Sequence, residues 1–340
     1  MSWDIIGHEE ATGFLAQRLE QGRLAHAYLF VGPPGVGKRT LALALAQGLN
    51  CLDAAPPCGQ CSQCRRIASG NHTDVTILAL QEHGREIGID PVRDLQRTLS
   101  LRPFEGRYRV AIVREAERMS REAANALLKT LEEPPDQAML VLTTGDEEAL
   151  LPTVRSRCQR LQLDPLSVGR LSHLLQETRG VSSEAADGAA AYARGCPGRA
   201  LAVLDDPGVL DEIDHRITLL KEALAGDVDG RLSQASNLAG FGGAGRDGCL
   251  QTLQVWRDWW RDLLLIKTGC PEHLTFPSQS DSYHDLSNAL GMPAIHRAIT
   301  RIGQARTQLE RNANPRLVMD VLLLGLPVPQ TPRQEPVASG

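Results

Sequence analysis

The residues from Phe30 to Thr40, FVGPPGVGKRT, place three glycines and a lysine at the spacing of a phosphate-binding loop. Backbone N–H groups near Gly32, Gly35 and Gly37 can turn inward around phosphate oxygens. Lys38 can reach the β and γ phosphates, with a helix N-terminus behind it. The segment therefore predicts a site of nucleotide-binding ancestry, and the alternative is a Gly- and Pro-rich turn that binds nothing.

Both positions that normally hold Mg²⁺ beside such a loop carry arginines. The pattern requires Ser or Thr after the lysine, whereas this chain has Arg39 there and Thr40 one place late. An acidic pair should end a later strand, but the first of its two positions is Arg114 and only Glu115 is acidic. Since a cation cannot ligate a dication, the sequence predicts no efficient metal-dependent hydrolysis. It leaves ATP binding open and makes bound Mg²⁺ doubtful.

Four of the eight cysteines fall within a short segment with the spacing C-x6-C-x2-C-x2-C, namely Cys51, Cys58, Cys61 and Cys64. Four thiolates this close in sequence can complete a tetrahedral Zn²⁺ site that has no open position, so its role would be structural. An iron–sulfur cluster and plain buried thiols are the two alternatives. The other four cysteines are scattered along the chain.

Length and composition set the protein class. The chain has 340 residues, which predicts two or three domains, and 42% of them are hydrophobic. Its formal charge is 36 − 41 = −5, so no bulk positive field indicates binding to nucleic acid or membrane. The acidic N-terminus lacks the pattern of a signal peptide, and no apolar run is long enough to span a membrane. We therefore expect a soluble cytoplasmic protein.

The element pattern predicts an α/β region followed by helices. Strand signals at 27–31, 75–78, 108–113 and 139–143 alternate with helical signals, which favours a parallel sheet covered on both faces. One helix is predicted to begin with Asp90 as N-cap and Pro91 at its first position. Short helices are predicted in three later segments, 166–178, 183–194 and 198–204. A loop is predicted around the glycines at 240, 242, 243 and 245.

Several motifs together resemble one family. The phosphate loop, the cysteine insert, Asn125–Pro135 (NALLKTLEEPP) and Ser156–Cys158 (SRC) occur in this order in bacterial clamp-loader subunits of the AAA+ class. Residues 311–324 resemble the last helix of the collar in that family. The resemblance implies three segments: an AAA+ P-loop domain at 1–165 with a zinc module at 51–64, a helical lid at 166–208 and an all-helical collar at 209–325. Residues 326–340 are Pro-rich and lack an apolar face, which predicts a disordered tail.

Two subunit types share these marks, and Arg39 and Arg114 make the chain resemble the delta prime type rather than the tau/gamma ATPase. The resemblance implies a non-hydrolysing subunit of the DNA polymerase III holoenzyme, in a five-membered ring with delta and tau/gamma. That ring loads the sliding clamp onto primed DNA. An active tau/gamma-type ATPase is the alternative. A P-loop kinase is a further alternative, but it leaves the cysteine insert and the helical C-terminal third unexplained.

The resemblance also implies residue roles. Arg157 resembles an arginine finger that acts on ATP bound to the neighbouring subunit, although composition alone would favour a plain surface arginine. Thr144 is the nearest match to sensor 1. At the sensor 2 position Gly198 stands where an arginine is usual, with Arg199 one place off. We expect Ser156–Cys158 to lie just past the last strand of the sheet.

Two side-chain groups have open interpretations. Trp256 and Trp260 share one helix face and fit either core packing or a subunit interface. Lys129, Glu132 and Glu133 fit either a solvated helix face or a contact with an adjacent subunit.

Overall fold

The computed structural model describes residues 3, 5–81, 84, 86–206, 208–240 and 245–328. The chain forms two compact units, one of Met1–Ala186 with Arg194–Ala200, the other of Asp187–Ala193 with Leu201–Gly340. The domain boundaries predicted after residues 165 and 208 stay predictions.

The N-terminal unit is built on a sheet of five parallel strands, β1 (Ala27–Val31), β2 (Val75–Leu78), β3 (Arg109–Val113), β4 (Ala138–Thr144) and β5 (Gln159–Gln162). Their order is β2-β3-β4-β1-β5. Every residue of β1 and β3 is buried, as expected for strands covered by helices on both faces. The predicted parallel sheet is confirmed.

The edge strand β5 was not predicted from the sequence. Its residues QRLQ are polar at three of four positions, and only Leu161 is partly buried, so no apolar run marks the strand. It forms by pairing with the buried β1. Ser156–Cys158 therefore precedes the last strand of the sheet, and the prediction that it lies past that strand is wrong.

Helices cover both faces of this sheet: α1 (Glu9–Glu20), α2 (Lys38–Asn50), α3 (Ser62–Ala68), α4 (Ile89–Leu99), α5 (Arg121–Glu132) and the short α6 (Pro152–Arg155). One core contains Leu15 of α1 and Leu45 of α2. The core on the other face contains Leu95 of α4 and Leu127 of α5. The helices α7 (Val168–Arg179), α8 (Ser183–Ala193) and α9 (Pro197–Asp205) follow and confirm the three short helices that were predicted.

Helix α4 begins one residue before Asp90, with the extended Gly88 as N-cap, so the predicted cap at Asp90 is wrong. The chain is fixed just upstream, where Ile87 exchanges backbone hydrogen bonds with Arg118 and Ser120 at 2.7 and 3.0 Å. The turn into the helix therefore falls at Gly88. Pro91 lies in the first helical turn, where its missing N–H has no intrahelical acceptor to lose.

The C-terminal unit contains α10 (Gly208–Ala225), α11 (Val228–Ala239), α12 (Gly245–Thr268), α13 (Ser280–Ala289), α14 (Met292–Glu310) and α15 (Pro315–Gly325). Trp256, Trp259 and Trp260 of α12 are fully buried in its core, and the indole N–H of Trp256 donates to the carbonyl of Arg216 at 2.8 Å. Core packing of Trp256 and Trp260 is thus confirmed.

The buried Arg231 of α11 joins two helix ends in this unit. Its guanidinium donates to the carbonyls of Leu323 and Leu326 at 2.9 and 3.1 Å, and to that of Leu224 at 3.4 Å. These carbonyls belong to the last turns of α15 and α10, whose negative dipole ends stabilise a cation. Burial lowers the pKa of Arg231.

Two further predictions meet the structure only partly. Leu326, the first residue of the predicted tail, is buried, and residues 329–340 lie outside the described residues. In the predicted glycine loop, Gly240 follows α11 and Gly245 begins α12, while Gly242 and Gly243 lie outside the described residues. None of the described helices is both long enough and apolar enough to cross a membrane.

Candidate functional site

The phosphate loop lies where predicted, between the carboxyl end of β1 and the start of α2 at Lys38. Gly35 and Gly37 have φ angles of +81° and +117°, which side chains other than glycine rarely adopt. The Gly32 N–H donates to the carbonyl of Thr144 at 3.1 Å, fixing the start of the loop against β4. The glycines are therefore needed for the loop backbone itself.

The lysine of the loop is folded back on it. The Nζ of Lys38 donates to the carbonyl of Pro33 at 2.9 Å and to that of Gly32. Burial lowers the pKa of Lys38, and the nearby carboxylate of Glu117 offsets part of that effect. The ammonium group thus has carbonyl oxygens where a nucleotide would offer phosphate oxygens.

Two other segments bond to the loop carbonyls. The Nε2 of His8 lies 2.8 Å from the carbonyl of Val36, and the N–H of Gly198 donates to the carbonyl of Gly35 at 2.7 Å. A Cβ at Gly198 would stand 2.9 Å from that same carbonyl oxygen, so a side chain there would force the loop to move. The structure therefore brings the predicted sensor 2 segment to the phosphate loop: Gly198 bonds to it through its backbone, and the side chain of Arg199 lies against Gly35.

The structure places Arg39 and Arg114 at the two positions that normally supply the Mg²⁺ ligands. Arg39 and Thr40 are exposed in the first turn of α2. Arg114 is half-buried after β3, and the exposed Glu115 has a left-handed φ of 51°. The oxygen ligands that Mg²⁺ requires are missing from both usual positions, so the residues there do not fit that ion.

Glu117 lies beside the loop and was not predicted from the sequence. Its Oε1 accepts the N–H of Gly145 at 3.0 Å, and its Oε2 is buried with no hydrogen-bond partner among the described residues. It is also the charge that most strongly raises the pKa of Lys38. Its position, three residues after Arg114 at the end of a buried strand, is the signal that could have pointed to it.

Thr144, the predicted sensor 1 residue, ends β4 and is fully buried. Its hydroxyl donates to the carbonyl of Asp146 at 2.9 Å and accepts the N–H of the same residue at 3.0 Å. Its carbonyl accepts the N–H of Gly32, as described above. Thr144 therefore joins β4 to the phosphate loop, and a role as sensor stays a prediction.

The four clustered cysteines converge as the sequence predicts. Their sulfur atoms all lie within 4.8 Å of one another. The Cys51–Cys61 and Cys58–Cys64 sulfur pairs are each 4.0 Å apart. A tetrahedral zinc ion with Zn–S bonds of about 2.3 Å needs sulfurs about 3.8 Å apart. The four residues can therefore hold a metal such as zinc.

Backbone N–H groups point at these sulfurs. Cys58 Sγ accepts the N–H of Cys61 at 3.3 Å, and Cys61 Sγ accepts that of Cys64 at 3.5 Å. Burial raises the pKa of the Cys61 thiol, but hydrogen bonds from Leu52 and Cys64 outweigh it and bring the pKa to about 6. Burial and a neighbouring sulfur raise the pKa of Cys64. Thiolates held this close repel one another, and a bound cation would relieve that repulsion.

Arg157 lies in the short connection between α6 and β5. Its Nη2 is 2.7 Å from Oε1 of Glu132, and its Nη1 donates to the carbonyl of Thr153 at 3.0 Å. The arginine side chain is 36% exposed. Burial raises the pKa of the adjacent Cys158 thiol to about 12, so that sulfur is a packing group and not a nucleophile.

The comparisons agree with this geometry. Residues 7–167 match the family described as DNA polymerase III, delta subunit. The delta' subunit of Bacillus subtilis is 42% identical over 153 residues, which cover 45% of this chain and 46% of that protein. The tau subunit of Escherichia coli K12 is 39% identical over 175 residues, covering 51% of this chain and 27% of that protein.

A solved structure shares the fold. It is a DNA polymerase III gamma subunit-related protein of Thermotoga maritima, with a TM-score of 0.51 at 19% sequence identity, covering 91% of this chain and 97% of that one. The tau subunits are longer than the part that this chain matches. The matched region covers 27% of the E. coli tau subunit and 60% of the B. subtilis tau subunit.

A phosphate loop on a five-stranded parallel sheet, followed by helical segments, is the fold of AAA+ proteins. Within that fold, residues 7–167 match the DNA polymerase III delta-subunit family, and the chain is similar to delta' and tau subunits of DNA polymerase III.

Proposed function

We propose that this chain is a non-hydrolysing clamp-loader subunit of the DNA polymerase III holoenzyme. In this role it joins delta and tau/gamma subunits in a hetero-pentameric ring in the cytoplasm. The ring loads the sliding clamp onto primed DNA. The chain has no catalysis of its own, and it supplies Arg157 to the ATP site of a neighbouring tau/gamma subunit.

The pair of arginines at the metal positions of an otherwise preserved phosphate loop carries this proposal. With Arg39 and Arg114 there, the loop has lost the groups that hold Mg²⁺ while keeping Lys38 and its glycines. A nucleotide held by this loop would not be cleaved there, because the groups that hold Mg²⁺ are absent. Hydrolysis then falls to a subunit that keeps its metal ligands.

Arg157 has the properties that a finger acting on a neighbour needs. It is partly exposed, and it is held at the protein surface by Glu132 and the Thr153 carbonyl. A forked guanidinium stabilises the charge that develops on phosphoryl transfer, and such a finger is worth about 10³–10⁵ in rate. Independently of Arg157, we propose that the cysteine cluster binds one structural Zn²⁺.

The test is a reconstituted loader with Arg157→Ala and Lys38→Ala compared side by side. Arg157→Ala should assemble normally, but ATP hydrolysis and clamp loading should fall. Because one of several ATP sites faces this chain, the fall in total hydrolysis is partial. Lys38→Ala should have little effect, and Arg157→Lys should not rescue the loss, since a point charge lacks the fork.

The matched control is Arg155→Ala, which removes an arginine of the same segment. Arg155 is paired with Glu148 at 2.6 Å, and its loss should leave hydrolysis unchanged. A silent Arg157→Ala together with a Lys38→Ala variant that abolishes loading would contradict the proposal. That result would favour the active tau/gamma-type ATPase.

A further inference from the structure

The carboxylate that holds Arg157 comes from a distant part of the sequence. Glu132 is the last residue of α5, in the segment Asn125–Pro135, and its Oε1 is 2.7 Å from Nη2 of Arg157. The second guanidinium nitrogen donates to the carbonyl of Thr153 at 3.0 Å, with the Ser156 hydroxyl at 3.5 Å. Two nitrogens of the arginine are therefore anchored in one orientation, and its remaining N–H groups are left for an outside acceptor.

Helix stability does not explain a carboxylate at this position. The C-terminal end of a helix carries a partial negative charge, so Glu132 is unfavourable there unless a cation offsets it. The helix also cannot be extended to move Glu132 away from its end, because Pro134 and Pro135 follow after the single residue Glu133. The position of Glu132 is fixed further by the Leu131 carbonyl, which lies 3.1 Å from Nε2 of His26.

The two neighbouring arginines are paired differently. Arg155 bonds to Glu148 and Arg160 to Glu147, and both acids lie in the loop that leads into α6. Among these three arginines, Arg157 alone is tied to the helix α5. Glu132 therefore makes a connection that its neighbours do not make, and those neighbours provide matched controls.

We propose that Glu132 is a positioning residue for Arg157: it holds the guanidinium in the orientation in which the arginine reaches the ATP of the neighbouring subunit. This inference rests on the proposed function, since it needs Arg157 to act as a finger. Holding the side chain in advance removes conformational freedom that would otherwise be lost in the transition state. Glu132 acts through Arg157 and touches no substrate.

The experiment uses Glu132→Gln, which keeps the shape of the side chain and removes its charge. It is measured in a loader whose tau/gamma subunits lack their own finger arginines, so that hydrolysis reports the site facing this chain. We expect kcat to fall roughly two- to fivefold, the worth of one exposed ion pair, with KM for ATP unchanged. Glu147→Gln, which releases Arg160 in the same way, should change neither constant.

The double variant separates positioning from a structural role. In an Arg157→Ala background, Glu132→Gln should have no further effect, because there is no finger left to position. Equal thermal unfolding of the single variants and the parent chain shows that they fold. If Arg157→Ala slows hydrolysis but Glu132→Gln does not, or if the two effects add, the positioning role is wrong and the proposed function stands. If Arg157→Ala leaves hydrolysis unchanged, the proposed finger role of Arg157 is wrong, and the positioning role of Glu132 is wrong with it.

Discussion

The buried carboxylate of Asp74 organises the loop that leads into β3. Its oxygens accept the N–H groups of Phe104, Glu105 and Gly106 at 2.8, 2.9 and 2.8 Å, and Arg109 lies 3.4 Å away. An ionised acid that accepts three N–H bonds and faces a guanidinium is stabilised in its charged form. The Asp74 side chain therefore holds the loop at 104–106 in place, and this stabilisation depends on the carboxylate being ionised.

This charge predicts a pH dependence for Asp74→Asn. Burial would raise the pKa of Asp74, but the three N–H bonds and Arg109 outweigh it, so the pKa is below its usual value. An acid with a lowered native pKa adds stability above its unfolded pKa and loses it as pH falls. We expect Asp74→Asn to cost about 3 kcal/mol at pH 7, and less once the pH falls below about 5.

Urea unfolding between pH 7 and about pH 2 measures that difference, because the contribution is lost as the pH falls through the lowered native pKa. Asp94→Asn is the control, because the Asp94 side chain is 71% exposed and its surface ion pair should add little at any pH. A cost for Asp74→Asn that stays constant across this range would contradict the role of the charge.

Single residues could be predicted where one continuous segment carries the chemistry. The phosphate loop and the four cysteines are such segments, and their positions were readable from spacing. The pairings of Glu117 with Gly145 and of Glu132 with Arg157 are contacts between distant segments. They depend on the packing of α5 and β4, and no local spacing encodes them.

At the scale of elements, the cysteine segment is tied into the sheet domain through α3. Gln63, between two of the cysteines, donates to the carbonyl of Glu105 at 3.2 Å and contacts the buried His72 at 2.5 Å. Arg66 of α3 forms an ion pair with Glu105. A metal held by the cysteines would therefore stabilise α3 and the loop before β3 together.

Cys61→Ser tests this element. We expect the parent chain to contain about one Zn²⁺ and the variant to lose it, because a hydroxyl is a poor substitute for a thiolate ligand. Metal analysis measures the loss, and limited proteolysis should show cleavage near residues 51–64 while the C-terminal unit stays protected. Cys270→Ser, outside the cluster, should keep its metal. Full zinc content in a Cys58, Cys61 and Cys64 triple variant would overturn the assignment.

Buried elements could be predicted and an edge element could not. The interior strands β1, β3 and β4 are apolar runs, since both of their faces are covered. The edge strand β5 is mostly polar and exists because β1 offers a free edge to pair with. The start of α4 differs from the predicted one for a similar reason, because the pairing of Ile87 with Met119 fixes the chain just before the N-cap Gly88.

At the scale of the whole molecule, α15 has apolar residues on two faces. Val318, Met319 and Leu322 point into the core of the C-terminal unit. Leu317, Val321 and Leu324 are 63%, 71% and 47% exposed, and their spacing of four and three puts them on one outer stripe. A helix with apolar residues on its outer side favours a second contact surface. Such a stripe fits the proposed function, in which this chain would assemble with other subunits.

Val321→Asp predicts the consequence of losing that stripe. Because Val321 is 71% exposed, the free energy of unfolding should change by no more than about 0.5 kcal/mol. A charge in the middle of a buried interface lacks a partner, so assembly with delta and tau/gamma should weaken by at least about tenfold. Val228→Asp makes the same chemical change at a valine 60% exposed on α11, and it should assemble normally. Size-exclusion chromatography of each variant mixed with delta and tau/gamma measures the fraction that elutes in the complex. If the two assemble equally well, the outer stripe of α15 is not the assembly surface, and the chain joins its partners through another face.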